Sequence, residues 1–208
     1  MISAGASGES GATLGRMLET LRHEPFYISG SHLCQGSNLA LGWMGFDGSA
    51  ADAMFAQSES TCVLLAGEIF ASRPSPQDSS GQRDAAWLLQ RYEEEGPGCL
   101  AALNGWFSGV IVDLRRRQTI IFNDRYGHGR LYCHRTAEGL FFASEAKALL
   151  AVFPRLRSLD PQGLAEWISC GCVLQNRTLF PGIFLLPPAS AWICNEDGSI
   201  QERSYFTP

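Results

Sequence analysis

Four stretches of the chain predict helices, and in the first two the apolar residues recur with the three-to-four-residue spacing of an amphipathic helix. Asp84 stands at the start of the second stretch, where a carboxylate suits the positive end of the helix dipole. Asp160 is a predicted N-cap for the fourth, and Pro161 suits the first helical position. The predicted helices lie at 14–21, 84–95, 145–152 and 161–169.

Short apolar runs bounded by turn residues predict strands between these helices. The runs at 106–113 and 119–122 flank three arginines in a polar turn and therefore predict a hairpin. Many strands with a few interspersed helices indicate an α+β fold, here as a single domain over 1–208. We expect 1–11 to be flexible and 71–82 to be a loop. Further strands are predicted at 39–46, 61–70, 131–134, 140–143, 190–194 and 200–205.

Composition and charge narrow the functional classes. Hydrophobic residues make up 45% of the chain and charged residues 18%, as in globular proteins. A net charge of −5 gives no electrostatic basis for binding nucleic acid or an anionic membrane surface. No apolar run is long enough to cross a bilayer, and the first twenty residues lack the apolar core of a signal peptide.

The seven cysteines give little chemical signal. Their number is odd, and no pair is spaced like a zinc knuckle. Cys170 and Cys172 are the only close pair, which alone is a weak metal or redox signal. The sequence therefore predicts no metal site, and we expect a reduced, cytoplasmic protein whose other cysteines are mostly small core residues.

A set of short motifs carries most of the specific information. Each motif alone is weak, but their order along the chain is distinctive, and the block from 103 to 150 is the most specific part. In order they are AGEIF at 66–70, a helix from Asp84 that ends in RYE at 91–93, LNGWF at 103–107, NDRYG at 123–127 with RLY at 130–132, FASEAKAL at 142–149, TLFPGI at 178–183 and LPP at 186–188.

Together these motifs resemble the N-terminal class II glutamine amidotransferase domain of the asparagine synthetase family, from about residue 39 to 208. The resemblance implies an N-terminal-nucleophile hydrolase fold, a four-layer αββα sandwich of two antiparallel sheets. It also implies that 195–208 leads toward an ATP-dependent synthetase domain. The NDRYG motif at 123–127 is not catalytic in that superfamily, so we interpret it as a structural loop.

The family hydrolyses glutamine with a cysteine that becomes the first residue once methionine is removed, and its free α-amine acts as the base. Here Ile2 stands at that position, and isoleucine has no nucleophilic atom. Ser3 is a weak alternative that would need unusual processing. Cys34 lies too far along the chain to be a terminal nucleophile without a long propeptide.

Two further requirements of the family are also unmet. Ala66 replaces the asparagine that, with the following Gly67, forms the oxyanion hole, and one such donor contributes on the order of 3 kcal/mol. The family holds the glutamine carboxylate with an arginine near 43–46, where this chain reads WMGF. Glu68 and Asp84 match the positions that hold the substrate amino group. We interpret them as structural remnants, each exposed, capping a helix or bonded to backbone.

We therefore expect a degenerate amidotransferase domain that serves as a scaffold for a synthetase or cyclase domain. Relatives without the cysteine include β-lactam synthetases and lasso-peptide cyclases. The chain contains no Ser-Gly-Gly-x-Asp-Ser loop, so ATP and Mg²⁺ are expected only in the synthetase domain. The alternatives are an active glutaminase subunit of an asparagine synthase after N-terminal processing, or a stand-alone module that binds a small glutamine-like molecule.

Overall fold

The computed structural model describes residues 7–34, 39–46, 54–70, 82–137 and 139–207. Within these ranges the chain forms four α-helices, two 3-10 helices and eleven strands. The helices are α1 (Ser7–Leu21), α2 (Gln82–Glu95), α3 (Ala146–Val152) and α4 (Pro161–Cys170), and the 3-10 segments are Gly96–Ala102 and Pro154–Leu156. The strands are β1 (Ile28–Cys34), β2 (Leu39–Gly45), β3 (Phe55–Gln57), β4 (Thr61–Ile69), β5 (Gly105–Asp113), β6 (Gln118–Asn123), β7 (Tyr132–Thr136), β8 (Gly139–Ala143), β9 (Phe184–Leu185), β10 (Ser190–Asn195) and β11 (Ile200–Ser204).

All four predicted helices are present. The Asp160 carboxylate accepts a hydrogen bond from the Gly163 N–H at 2.9 Å, which confirms it as the N-cap of α4. Helix α1 begins at Ser7, so the predicted flexible start at 1–11 is wrong for 7–11, while 1–6 lie outside the described residues. The predicted loop also lies outside them from 71 to 81.

Every strand pairing recorded in the structure is antiparallel. The six-stranded sheet has the order β11-β10-β6-β5-β4-β3, strands β1 and β2 form a hairpin, and β7 lies between β8 and β9. The predicted α+β class and the predicted β5–β6 hairpin are confirmed. The recorded hydrogen bonds divide the strands among three sheets, whereas the resemblance implies two, and the four-layer arrangement stays a prediction.

The central strands of the large sheet are apolar on both faces. In β4, Val63 and Leu65 belong to the core cluster that includes helix α2, while Cys62 and Leu64 belong to a second cluster. The second cluster also contains Leu41 of β2 and residues of β7 and β8. Because side chains alternate along a strand, β4 can pack against other elements on both faces.

Strands β2 and β8 contribute to two core clusters as well. Leu41 and Phe142 lie in the cluster that contains residues of the large sheet, whereas Ala40 and Phe141 pack with helices α1 and α3. Neighbouring residues of β2 and β8 therefore pack in different clusters, one with the large sheet and the other with these two helices.

The predicted structural loop after β6 is held by its first aspartate. Asp124 is completely buried, and its carboxylate accepts hydrogen bonds from three backbone N–H groups, of which Gly129 is the closest at 2.6 Å. Asn123 is buried too, and its amide bonds to the backbone of Leu186 and Ser190. These contacts explain the NDRYG motif as a structural element.

Candidate functional site

The backbones of β4 and β5 approach each other closely where the AGEIF and LNGWF motifs pair. Gly67 has a positive φ of +108°, and a Cβ placed there would lie 2.0 Å from the Trp106 carbonyl oxygen. A Cβ at Gly105 would lie 2.1 Å from the Glu68 carbonyl oxygen. Both positions therefore require glycine for steric reasons that need no catalytic role.

The two carboxylates assigned to the substrate amino group have different environments. Glu68 is exposed on β4, opposite Trp106. Asp84 is buried in the first turn of α2, and its carboxylate accepts a hydrogen bond from the Ile69 N–H at 3.2 Å. One is exposed and the other is bonded to backbone, which are two of the environments expected for them. Their interpretation as structural remnants stays a prediction.

Ala66 lies beside a cavity of about 500 Å³ between α1, β2, β4, β5 and β8. Ser108, which pairs with Ala66 across the two strands, lines the same cavity. Neither Glu68 nor Asp84 belongs to its lining, and no Lys, Arg or Cys does within the described ranges. Most of the wall is apolar, including Leu14, Met17, Leu41, Met54, Leu64 and Phe142.

The segment expected to hold an arginine contributes two apolar side chains to this cavity. Trp43 and Met44 both line it, and the Trp43 ring stacks on Phe55 with 4.9 Å between ring centroids and 10° between ring planes. The predicted nucleophile positions, Ile2 and Ser3, lie outside the described residues. The segment for which the resemblance implies a carboxylate-binding arginine therefore contributes apolar side chains to the cavity wall.

A polar cluster that the sequence did not reveal forms part of the cavity wall, since His23 and Glu145 both line the cavity. His23 Nε2 lies 2.8 Å from the Glu145 carboxylate, and Lys147 Nζ lies 3.4 Å from the same group. Burial raises the pKa of Glu145, but hydrogen bonding to His23 and the charge of Lys147 outweigh it and lower the pKa overall. Since His23 and Glu145 are more than 120 residues apart, no local spacing could have indicated their contact.

Aromatic side chains form a surface beside Glu68, which we call the aromatic surface. The rings of Phe70 and Trp106 lie 5.7 Å apart, and those of Trp106 and His128 lie 5.8 Å apart. Trp106 lies at the surface and not in the core, because its exposed fraction is 62%. The surface consists of Phe70, Trp106, Tyr126, His128 and Phe206, with the Arg125 guanidinium 4.6 Å from the Phe206 ring.

A larger cavity of about 960 Å³ lies elsewhere, next to α4 and the segment that follows it. It is lined by Arg130, Trp167, Cys172 and Arg177 among others, and shares no residue with the cavity beside Ala66. None of the positions predicted to bind glutamine lines it. Size alone therefore does not make it the candidate site.

Comparisons with known proteins show the family to which the chain belongs. A family model described as a glutamine amidotransferase domain matches residues 4–206. The chain belongs to this family of class II glutamine amidotransferase domains. Among curated relatives, it is 27% identical over 135 residues to amidase chry2 of Gibberella zeae, covering 61% of this chain. It is 32% identical over 81 residues, or 38% of this chain, to a probable glutamine-hydrolysing asparagine synthetase of Schizosaccharomyces pombe.

Among solved structures, the chain resembles a glutamine phosphoribosylpyrophosphate amidotransferase from B. subtilis determined with ADP and GMP. The TM-score is 0.50 with 14% identity, over 81% of this chain and 35% of that one. This likeness supports the fold alone. The chain spans only 18% and 14% of the lengths of the two curated relatives. No helix in the described ranges combines the length and apolar character needed to cross a membrane.

Proposed function

We propose that this chain is the amidotransferase-like domain of an asparagine-synthetase-type, ATP-dependent amide-forming enzyme, and that it acts as a scaffold rather than as a glutaminase. The observation that carries the proposal is the wall of the cavity beside Ala66. Trp43 and Met44 line it, and its described lining holds no Arg, Lys or Cys. The basic side chain that does line it, His23, lies 2.8 Å from the Glu145 carboxylate. A glutaminase of this class needs a nucleophile and a cation for the substrate carboxylate at such a site.

The aromatic surface supports the scaffold role. Phe70, Trp106 and Tyr126 are each more than half exposed, and their rings lie beside the same ends of β4 and β5 as Glu68. Contiguous exposed aromatic groups are typical of protein–protein contact surfaces. We assign this surface to contact with the ATP-binding synthetase portion, which would supply ATP and Mg²⁺ chemistry.

A glutaminase assay tests the proposal. The purified chain is incubated with glutamine, and glutamate is measured beside a heat-denatured sample and an authentic glutaminase. We expect no glutamate above the denatured sample. Sustained turnover that a glutamine-analogue alkylating agent abolishes would contradict the scaffold role, and intact mass would then identify the mature first residue and the labelled position.

The Ala66→Asn variant sharpens this assay because it restores the missing oxyanion donor. Restoring one donor contributes on the order of 3 kcal/mol only if a nucleophile is present. We therefore expect this variant to be as inactive as the unchanged chain. Activity in the variant alone would show that a nucleophile exists and that only the oxyanion hole was lost.

The small-ligand alternative has less support from the site. Glu68 and Asp84 would have to line an open pocket to hold a glutamine-like amino group, and neither lines the cavity beside Ala66. A rise in melting temperature on adding glutamine would favour this alternative, since a ligand that binds only the folded state stabilises it.

A further inference from the structure

Three side chains with metal-binding atoms converge between the β1–β2 hairpin and the large sheet. The Cys34 and Cys62 sulfurs lie 3.7 Å apart. The metal-binding atoms of His32, Cys34 and Cys62 all lie within 4.8 Å of one another. None of the three residues lines the cavity beside Ala66, so this cluster is separate from the candidate amidotransferase site.

Strand geometry brings the three groups together. His32 and Cys34 are two residues apart on β1, so their side chains point to the same face. On that face Cys34 joins the core cluster that also contains Cys62, at the start of β4. The two strands belong to different sheets, and the cluster is therefore a point of contact between them.

The distance between the two sulfurs matches a shared tetrahedral metal ion. Two thiolates at the usual zinc–sulfur distance of about 2.3 Å and a tetrahedral angle lie about 3.8 Å apart. The observed 3.7 Å agrees with that separation. A disulfide would require the sulfurs to approach to about 2.0 Å, and it would leave the convergence of His32 unexplained.

The surroundings suit a thiolate-bound ion as well. Cys34 and Cys62 are buried with exposed fractions of 4% and 6%, whereas His32 is half-buried and its ring lies 4.8 Å from that of Phe55. Two thiols and an imidazole form a ligand set that favours zinc over hard cations.

We propose that His32, Cys34 and Cys62 bind one zinc ion that links β1 to β4, with a fourth coordination position open toward solvent beside His32. Binding converts both thiols to thiolates and releases their protons to solvent, with no change of oxidation state. The ion links the two sheets and stabilises the fold. This inference does not depend on whether the domain hydrolyses glutamine.

Metal binding by the purified full chain tests the proposal. After treatment with a chelator and a thiol reductant, the chain is titrated with Co²⁺ as a spectroscopic probe and then with Zn²⁺. We expect one ion per chain, a thiolate-to-cobalt charge-transfer absorption that Zn²⁺ removes, and a higher melting temperature with Zn²⁺. X-ray absorption of the zinc form should show two sulfurs at about 2.3 Å and one imidazole nitrogen at about 2.0 Å.

Single-residue variants locate the ion. Cys34→Ser and Cys62→Ser should weaken Co²⁺ binding by more than the roughly 10–100-fold that loss of an outer partner costs. The Cys172→Ser control removes an exposed thiol and should leave binding unchanged. If a variant fails to fold, the sulfur count from X-ray absorption of the unchanged chain still decides the question.

Three outcomes would overturn the proposal. The first is the absence of a bound ion at one equivalent. The second is a cobalt spectrum that Cys172→Ser abolishes and Cys34→Ser does not, because the ion would then bind the exposed cysteines. The third is a disulfide between Cys34 and Cys62, seen under non-reducing conditions as a mass lower by two hydrogens, together with no metal uptake after reduction.

Discussion

The Asp84 carboxylate accepts a hydrogen bond from the Ile69 N–H at 3.2 Å, and this contact ties the start of α2 to the end of β4. Asp84 is buried, whereas the neighbouring Glu68 is exposed. The family resemblance implies that both residues hold the same substrate group, but here one is buried and the other is exposed. Asp84 now supports the backbone, and Glu68 lies beside the aromatic surface.

Asp84→Ala should destabilise the chain by about 1–3 kcal/mol, because the buried Ile69 N–H loses its acceptor. Asp84→Asn keeps an acceptor oxygen and should recover part of that loss. Glu68→Ala, at an exposed position, should change the unfolding free energy by less than about 0.5 kcal/mol. Urea unfolding of the three variants measures these differences, and equal costs for Asp84→Ala and Glu68→Ala would contradict the structural role of Asp84.

Gly67→Ala should cost at least about 2 kcal/mol, because φ is positive there and the new methyl group meets the Trp106 carbonyl oxygen. Gly98→Ala is the matched control, since no atom lies within 4 Å of a Cβ built at that position. Its effect should stay within about 0.5 kcal/mol. Thermal unfolding distinguishes the two, and a neutral Gly67→Ala would show that β4 and β5 can separate at this point.

Asp113 should make stability depend on acid pH. Burial raises its pKa, but hydrogen bonds from Arg116 and from the Tyr92 hydroxyl outweigh it and lower the pKa below the ordinary 3.8. A carboxyl whose pKa is lowered in the folded state contributes its full stabilisation of the fold at pH values above its ordinary pKa. That contribution is lost as the pH falls from about 4 toward the folded pKa.

Asp113→Asn should therefore lower the unfolding free energy by about 1–3 kcal/mol at neutral pH and flatten its decline below pH 4. Glu196→Gln removes an exposed ion pair with Arg117 and should cost less than about 1 kcal/mol. Urea unfolding from pH 7 down to pH 3 measures both variants. Parallel curves for the unchanged chain and Asp113→Asn would show that this carboxyl does not titrate as described.

Trp106→Ser tests the aromatic surface. The ring is mostly exposed, so the isolated chain should keep its stability within about 0.5 kcal/mol. Binding to the proposed ATP-dependent partner portion should weaken roughly 30-fold, which corresponds to about 2 kcal/mol for a central aromatic contact. Trp167→Ser is the matched control at another exposed tryptophan. Calorimetric titration of the two portions measures the affinity, which should be the same for Trp167→Ser as for the unchanged chain. Equal affinities for both variants would place the contact elsewhere.

Local sequence predicted the elements whose signals are local. The helix from Asp160 follows from a capping residue and the proline directly after it. The β5–β6 hairpin follows from two apolar runs around a polar turn. Strand β1 was not predicted, because its Gly, Ser and His residues resemble a loop until the partner strand is known. Strands β3 and β9, with three and two residues, are too short to carry a periodic signal.

The sequence by itself determined the family, through the order of its motifs, and it showed that Ala66 and the segment at 43–46 lack the family's polar groups. Only the tertiary structure decided where the remaining groups lie. It buried Asp84, exposed Trp106, and brought Cys34 to Cys62 across 28 residues of chain, with His32 close to both. Such contacts depend on how separate sheets pack, and one-dimensional spacing does not encode that packing.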